Sequence, residues 1–286
     1  MTTSPDEMMN DKYRRLVALL GEMESVVVAF SGGVDSTLLL HAAREALGAR
    51  VIAATGLSET YAAEEMDDAK RLAAQIGVEH VLVATAELTD PRYASNSHQR
   101  CFFCKNELYS RLAELAAARS FAQVVDGANA DDRGDFRPGM RAARQLGVRS
   151  PLQEVELTKR EIRALSAHAG LPTWDKPAVA CLSSRFAYGD PITVEKLRQV
   201  AAAERGVRAL GFRGFRVRHH DTVARLEMPP DQMAAALAQA EAIVAAVRAA
   251  GYQYVALDLG GYRSGSMNEV LNARLQPGGL RRSSAV

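Results

Sequence analysis

Short apolar runs alternate with longer amphipathic stretches in the first half of the chain. Residues 26–30 form a continuous apolar, β-branched run, which is typical of a buried parallel strand, and residues 50–55 and 80–84 also resemble buried strands. Residues 63–76 have helical periodicity, and a further strand ends near Gly127. This order predicts βαβ units, and therefore an α/β fold with a mostly parallel, doubly wound sheet that carries helices on both faces.

The pattern changes in the last third of the chain. Residues 171–189 lack clear periodicity, and we interpret them as a functional loop or an interdomain segment. The rest predicts a smaller α+β domain with a helix at 193–204, strands at 214–219 and 223–228, an Ala-rich helix at 231–249 and a strand at 252–259. We therefore expect two domains, 1–190 and 191–286.

A hydroxyl- and glycine-rich hexapeptide joins the first predicted strand to a helix. Ser31-Gly32-Gly33-Val34-Asp35-Ser36 follows the strand directly, and apolar residues at helical spacing follow it up to Gly48. Two glycines let the backbone approach a ligand, and the helix start presents N–H groups and a positive dipole end. No lysine follows the glycines, and their spacing differs from the dinucleotide fingerprint. The hexapeptide therefore predicts an anion site that is neither a Walker A nor a Rossmann loop.

This hexapeptide resembles the PP-loop of the N-type ATP pyrophosphatases, which split ATP into AMP and pyrophosphate. The resemblance implies that ATP is bound by Ser31, Gly32, Gly33, Asp35 and Ser36, with Mg²⁺ acting beside Asp35. A capped Gly-Gly turn is the plain structural alternative, and it leaves the cluster of hydroxyls and the carboxylate unexplained.

Three loops should meet at the carboxyl edge of the sheet, where α/β proteins bind ligands. They are residues 31–36, 55–59 and 127–135, and they bring Gly56, Gly127 and Asn129 into the expected nucleotide site. The last loop also carries Asp131, Asp132 and Asp135, which either help to hold magnesium or a ribose, or form a solvated acidic turn.

The chain has three cysteines, Cys101 and Cys104 in a CxxC pair and Cys181 far away in sequence. Thiolates suit zinc and iron–sulfur clusters, and His98 is a possible fourth ligand for zinc. On spacing alone, a redox pair or a structural zinc clip remains open.

Charged residues alternate with apolar ones along two neighbouring predicted strands. Arg216 and Arg218 fall on one face of the first strand, and Arg225 and Glu227 fall on one face of the second. If the strands pair through the turn between them, the four side chains form a patch that is able to grip a phosphate. The alternative is an exposed sheet face decorated with charges.

Four segments carry a narrower resemblance. The sequences at 100–105 (RCFFCK), 126–129 (DGAN), 174–177 (WDKP) and 181–185 (CLSSR) resemble LarE, the ATP-dependent sulfur transferase family of nickel-pincer nucleotide biosynthesis. The resemblance implies that ATP adenylates the carboxylates of pyridinium-3,5-biscarboxylic acid mononucleotide and that sulfur then replaces AMP. It places the substrate near Ser184, Arg185, Glu204, Arg216, Arg218, Arg225 and Glu227.

The same family divides by the source of its sulfur. In one branch, a lone cysteine at the position of Cys181 gives up its own sulfur. In the other branch, three cysteines hold a 4Fe-4S cluster that leaves one iron free to carry sulfur, and Cys101, Cys104 and Cys181 match that pattern. The resemblance therefore implies that these cysteines are both metal ligands and catalytic residues, acting together with Asp35.

Composition narrows the remaining classes. The 286 residues carry a net charge of +1 with scattered Lys and Arg, so no nucleic-acid stripe is evident, and no apolar run approaches membrane-spanning length. We predict a cytoplasmic enzyme that acts on a small-molecule mononucleotide, and the family suggests a homo-oligomer. A tRNA thiolase of the PP-loop type and a non-catalytic nucleotide sensor are the alternatives.

Overall fold

A computed structural model describes residues 5–61, 63–134, 138–177 and 180–263 of the chain. Asp135, which figured in the sequence predictions, lies outside the described residues. The chain divides into two compact units, Met1–Cys181 and Leu182–Val286. The functional division that the sequence places at 190/191 stays a prediction.

The first unit is built on a four-stranded parallel sheet in the order β3-β2-β1-β4. Its elements are α1 (Pro5–Gly21), β1 (Val26–Ala29), α2 (Val34–Leu47), β2 (Val51–Leu57), α3 (Ala63–Ile76), β3 (Glu79–Ala84), α4 (Pro91–Ala94), α5 (Arg100–Ala118), β4 (Gln123–Val125), α6 (Pro138–Gln145), α7 (Pro151–Glu154) and α8 (Lys159–His168). The predicted α/β class is confirmed, and the helix predicted at 63–76 has those bounds.

The two faces of this sheet belong to two different apolar cores. Val26 and Val28 of β1 pack with residues of α1, α2 and α8, whereas Val27 between them packs with residues of α5 and α6. Successive strand residues point to opposite faces, so a strand that is buried on both sides must be apolar at every position. This is the reason why β1 is a continuous valine run and why the predicted helices cover both faces.

Strand β1 is central, with β2 on one side and β4 on the other. The chain leaves β1 toward β2 and reaches β4 only later, so the direction of strand addition reverses between β1 and β4. Such a reversal opens a crevice at the carboxyl ends of the strands. Helix α2 begins at that crevice, which places the loop from Ser31 to Ser36 there.

The second unit contains a three-stranded sheet in the order β5-β6-β7. Its elements are α9 (Val194–Ala209), β5 (Arg216–His220), β6 (Val223–Glu227), α10 (Met233–Ala238), α11 (Ala240–Ala249) and β7 (Tyr254–Leu257). Strands β5 and β6 pair antiparallel as the sequence predicts, with Arg216 opposite Glu227 and Arg218 opposite Arg225, and β7 adds in parallel to β6.

The Ala-rich helix predicted at 231–249 is two helices. A 3-10 turn at Pro230–Gln232 leads into α10, and the chain bends at Gln239 before α11. Helix propensity gives the type of element but not its direction, which packing decides. Ile243 and Val247 of α11 are buried in the core of this unit, whereas Leu237 of α10 is largely exposed.

Candidate active site

The loop from Ser31 to Ser36, called the phosphate loop below, is held by its own hydroxyl groups. The Ser36 hydroxyl lies 3.1 Å from the Ser31 hydroxyl, accepts from the Ser31 N–H at 3.3 Å and donates to the Gly33 carbonyl at 3.2 Å. Gly32 has a φ of 65°, a left-handed conformation that favours glycine. At the Gly33 N-cap, no side chain among the described residues caps α2. The arrangement leaves the helix start facing the crevice with N–H groups for an anion.

Asp35 in the first turn of α2 is fixed from two other segments. The Asn129 side-chain amide donates to one Asp35 carboxylate oxygen at 3.2 Å, and the Lys159 ammonium pairs with the other. Gly127 lies against the same turn, because a Cβ there would be 3.1 Å from the Ser36 nitrogen. The predicted meeting of Gly127 and Asn129 with the phosphate loop is therefore confirmed.

Two lysines supply the positive charge that the phosphate loop lacks in its own sequence. Lys159, the first residue of α8, pairs with Asp35, and the Lys176 ammonium donates to the Gly32 carbonyl at 3.1 Å. Sequence reasoning gave no role to either lysine. One signal was available in the sequence: Lys159 directly follows Thr158, the capping-box residue at which α8 begins. Asp131 of the third loop accepts from the Lys159 N–H and so fixes the start of α8 beside the phosphate loop.

The acidic residues of the third loop hold its backbone. Asp131 accepts from the Lys159 N–H at 2.9 Å, and Asp132 accepts from the Asn129 N–H at 3.0 Å. Asp132 is buried. Both side chains thus shape the loop that presents Asn129. The solvated turn is wrong for the buried Asp132, and a role of these residues toward magnesium or a ribose stays a prediction.

Gly56 lies inside β2, opposite Val83 of β3, and a Cβ there would be 3.1 Å from Leu108 of α5. Its described neighbours are thus packing residues of the sheet and α5. Thr55 of β2 contacts the residue just before the phosphate loop, because its hydroxyl donates to the Phe30 carbonyl at 2.6 Å.

All three cysteines belong to the first unit. Cys101 and Cys104 lie in the first turns of α5, and Cys181 is the last residue of that unit. Desolvation raises the pKa of the Cys104 thiol, and the charges of Glu87 and Cys181 raise it further. Cys101 keeps an exposed surface, yet removal of water by the surrounding protein and the nearby Cys181 also raise its pKa. Cys181 therefore lies close enough to affect both of the other thiols.

The region around these thiols also contains an aromatic hydroxyl and a carboxylate. Burial raises the pKa of Tyr61, and Cys104 and Cys181 add to the effect. Glu87 is buried, with one oxygen accepting from Ser58 at 2.6 Å and from Thr60 at 3.0 Å. Within the described residues, no group of three or more His, Cys, Asp or Glu side chains is already gathered around a single metal position.

In the second unit, two buried arginine–glutamate pairs stand side by side. Arg185 donates to Glu204 from two nitrogens, at 2.7 and 2.9 Å, and Glu204 also accepts from the Val217 N–H. Arg218 donates to Glu227 at 2.6 Å and to the Ser184 carbonyl at 2.6 Å. Glu204 and Glu227 are each 3% exposed. The alternative of an exposed, charged sheet face is therefore wrong for Glu227.

Two further arginines border these pairs. Arg225 lies 3.2 Å from Glu227 and pairs with Asp258, and the Arg216 guanidinium stacks 4.8 Å from the Tyr262 ring centre. Burial lowers the pKa of Arg216, and the neighbouring Arg185 and Arg218 lower it further. The guanidinium groups of Arg185 and Arg218 thus add positive potential beside a partly desolvated Arg216, which is an environment that an anionic group favours.

The chain was compared with proteins of known sequence and structure. It is 45% identical to an uncharacterized protein of Synechocystis sp. over 92% of this chain and 99% of the relative. It is 40% identical to the pyridinium-3,5-bisthiocarboxylic acid mononucleotide synthase of Lactiplantibacillus plantarum over 91% of this chain and 95% of the relative. The chain belongs to the LarE family.

Two other matches accompany this membership. The family described as asparagine synthase matches residues 18–131, which include the phosphate loop of this LarE family member. The NH3-dependent NAD synthetase structure from Campylobacter jejuni shares 20% identity with a TM-score of 0.49, covering 71% of this chain and 83% of that chain.

Family membership settles the class of the protein. LarE family members are PP-loop enzymes that use ATP, and the present chain is an ATP-dependent sulfur transferase. No helix among the described residues is both long and apolar enough to cross a membrane. The cytoplasmic location and the homo-oligomeric state stay predictions from the sequence.

Proposed function

We propose that this LarE family member inserts sulfur into pyridinium-3,5-biscarboxylic acid mononucleotide in two steps. A substrate carboxylate oxygen attacks the α-phosphorus of ATP, the bond to the β-phosphate breaks, and pyrophosphate leaves. A sulfur nucleophile then attacks the acyl carbon, AMP leaves, and a thiocarboxylate forms. The second carboxylate repeats both steps.

One observation carries this proposal: Asp35, held by Lys159 and Asn129, stands in an anion-binding loop at the carboxyl edge of the sheet. The Ser31 and Ser36 hydroxyls and the N–H groups at the start of α2 would stabilise the departing pyrophosphate, because charge grows on it as the α–β bond breaks. Asp35 provides hard oxygen atoms of the kind that Mg²⁺ prefers. When bound, Mg²⁺ would neutralise part of the phosphate charge.

The arginines of the second unit support the mononucleotide as the substrate. Arg216 carries a positive charge that burial and neighbouring arginines disfavour, and a phosphate would relieve that cost. Glu204 and Glu227 hold Arg185 and Arg218 in fixed orientations, as planar recognition of an oxyanion requires. Ser184, next to Arg185, accepts from Arg218 through its backbone, so it is placed in the same group.

For the sulfur source, we propose a 4Fe-4S cluster held by Cys101, Cys104 and Cys181. The three thiols share one unit, and the proximity of Cys181 contributes to the raised pKa of both Cys101 and Cys104, which supports a common ligand. In such a cluster each cysteine binds a different iron, so the thiols need not be gathered around a single metal position. When bound, the cluster would supply the sulfur that replaces AMP. The alternative is that Cys181 gives up its own sulfur.

The decisive experiment combines metal analysis with product counting. Anaerobic reconstitution should give about four iron and four sulfide per chain, and the mononucleotide with ATP and a sulfide source should yield several thiocarboxylates per protein. Cys101→Ser and Cys104→Ser should lose the cluster and the repeated turnover. A colourless protein containing zinc would contradict the cluster.

The same assay separates the sacrificial alternative. In that case Cys101→Ser stays active, each protein makes no more than one thiocarboxylate, and the intact mass of the protein falls by one hydrogen sulfide. If the mononucleotide is not consumed while bulk tRNA becomes thiolated at the expense of ATP, the proposed substrate is wrong.

A further inference from the structure

Lys176 connects the phosphate loop to a segment that precedes the cysteine Cys181. Its ammonium donates to the Gly32 carbonyl at 3.1 Å and lies 3.5 Å from an Asp68 carboxylate oxygen of α3. The Lys176 side chain is 24% exposed and that of Asp68 is 39% exposed. A cation therefore stands at the edge of an anion-binding loop with one neutral partner and one distant, partly solvated partner.

These partners bind the ammonium only weakly. An ion pair at this separation and exposure contributes little free energy, and a neutral carbonyl is a weaker partner than an anion. A lysine ammonium has three donors on a flexible stem, so it reorients at small cost. The phosphate oxygens of ATP carry full negative charges and would compete successfully for this ammonium if they occupied the loop.

The geometry of Gly32 keeps the lysine close to any such anion. Gly32 has a left-handed φ of 65°, and a Cβ there would lie 3.4 Å from the Ala69 Cα of α3. The turn is therefore pressed against the same helix that carries Asp68. The carbonyl that accepts from Lys176 belongs to Gly32, whose conformation forms the turn of the loop. The ammonium therefore lies beside the predicted phosphate contacts, which are the neighbouring residues of the loop.

The backbone around Lys176 is anchored independently of its side chain. The Arg163 guanidinium donates to the Trp174 carbonyl at 2.6 Å and to the Lys176 carbonyl at 2.9 Å. Arg163 belongs to α8, whose first residue, Lys159, pairs with Asp35. One helix thus fixes both cations relative to the phosphate loop, and removal of the Lys176 side chain leaves the anchor of its backbone in place.

We propose that Lys176 is a polyphosphate-binding residue of the ATP site. It exchanges the Gly32 carbonyl and Asp68 for phosphate oxygens when ATP binds, and so supplies from residues 171–177 the cation that the loop lacks in sequence. This inference rests on the ATP-binding part of the proposed function and deepens it. The exchange also changes the surroundings of Trp174, which is the only tryptophan in the chain and is about half exposed.

The single tryptophan makes the exchange measurable without any turnover. Inorganic pyrophosphate is the first probe, because it has no base that would quench Trp174 directly, and ATP with magnesium is the second. The variants are Lys176→Met, which keeps the aliphatic stem, and Lys176→Arg, which keeps the charge. The matched control is Lys70→Met on α3, which removes a lysine that is paired at 3.6 Å with the exposed Asp67.

We expect pyrophosphate to change the Trp174 emission of the wild type and of Lys70→Met. In Lys176→Met the change should disappear, and the dissociation constant for ATP should rise roughly 10- to 100-fold, as for loss of a hydrogen bond between charged groups. Lys176→Arg should recover part of both effects. Denaturant unfolding of each variant identifies any that is not folded. If Lys176→Met is not folded, the test rests on whether the ATP affinity of Lys176→Arg is altered.

An unchanged ATP affinity in a folded Lys176→Met, or a pyrophosphate response equal to that of the wild type, would overturn the inference. The measurement uses neither the mononucleotide nor a sulfur source. If the sulfur-transfer proposal failed while Lys176→Met still lost the pyrophosphate response, the role of Lys176 in binding phosphate would stand.

Discussion

The phosphate loop and the arginine–glutamate pairs of the second unit both assemble opposite charges, but they do so in different surroundings. In the Asp35–Lys159 pair, the side chains are 23% and 37% exposed, whereas the Arg185 and Glu204 side chains are 3% and 4% exposed. Charges that keep contact with water exchange partners easily, while removal of one member of a buried pair leaves an uncompensated charge. The first set is thus suited to releasing and rebinding phosphates, and the second set to holding one fixed geometry.

The largest expected effect concerns the buried pair of Arg185 and Glu204. Arg185→Met leaves the buried Glu204 carboxylate without its nearer counter-charge, and we expect the free energy of unfolding of the second unit to fall by about 3–5 kcal/mol. Arg208→Met is the control, because Arg208 is 39% exposed and lies 4.0 Å from the same carboxylate. Chemical denaturation measures both variants. Equal and small losses of unfolding free energy in the two variants would mean that burial does not distinguish the Arg185–Glu204 pair from a more exposed pair.

The next prediction concerns the partly exposed pair of Asp35 and Lys159. Asp35→Asn should slow pyrophosphate release by roughly 10²- to 10³-fold, as for loss of one preorganised electrostatic group, while the free energy of unfolding changes by less than about 1 kcal/mol. Asp67→Asn, at a 77% exposed position, should change neither quantity. A loss of stability as large as that of Arg185→Met would contradict the contrast between the two regions.

Gly127→Ala tests how tightly the phosphate loop is packed. The added methyl group would meet the Ser36 nitrogen at 3.1 Å and the Asp35 Cβ at 3.3 Å. We expect a loss of about 1–3 kcal/mol in unfolding free energy from overpacking, together with weaker ATP binding. In Gly21→Ala the methyl group enters open space, so that variant should bind ATP normally. Normal ATP binding by Gly127→Ala would show that the phosphate loop accommodates the added methyl group and is not tightly packed.

The smallest expected effect extends the comparison to the Cys104 thiol, whose pKa is raised mainly by desolvation. In the metal-free, reduced protein, the raised pKa of Cys104 keeps the thiol protonated at pH 8. The thiolate is the reactive form, so alkylation of Cys104 should be at least about tenfold slower than that of free cysteine. The rate should increase as the pH rises toward the raised pKa, and peptide mass spectrometry follows it. Alkylation as fast as that of free cysteine would contradict the burial effect.

Much of the first unit was predictable because its signals are local. The strand at 26–30, the helix at 63–76 and the phosphate loop are each encoded within a short stretch, and the structure confirms all three. The capping box of Thr158 and Glu161 is likewise local and is present. The interruption of the Ala-rich helix was not predicted, because the bend at Gln239 depends on which residues pack in the core of the second unit.

The cations of the phosphate loop were not predictable in the same way. Lys159 and Lys176 are more than a hundred residues away from the loop in sequence, and no local pattern marks a lysine that the fold will bring to an anion site. Burial of Glu227 was equally hidden, because strand alternation shows which side chains share a face but not what covers that face.

Periodicity and contiguous motifs were enough to predict the α/β class, the ATP-binding loop, the family and the shared face of the charges on each arginine-rich strand. Only the packed chain shows which cations lie beside the loop, which acids of the third loop hold its backbone, and which charges are buried as pairs. Those outcomes depend on distances between remote segments and on exclusion of water, and both arise only when the chain has packed.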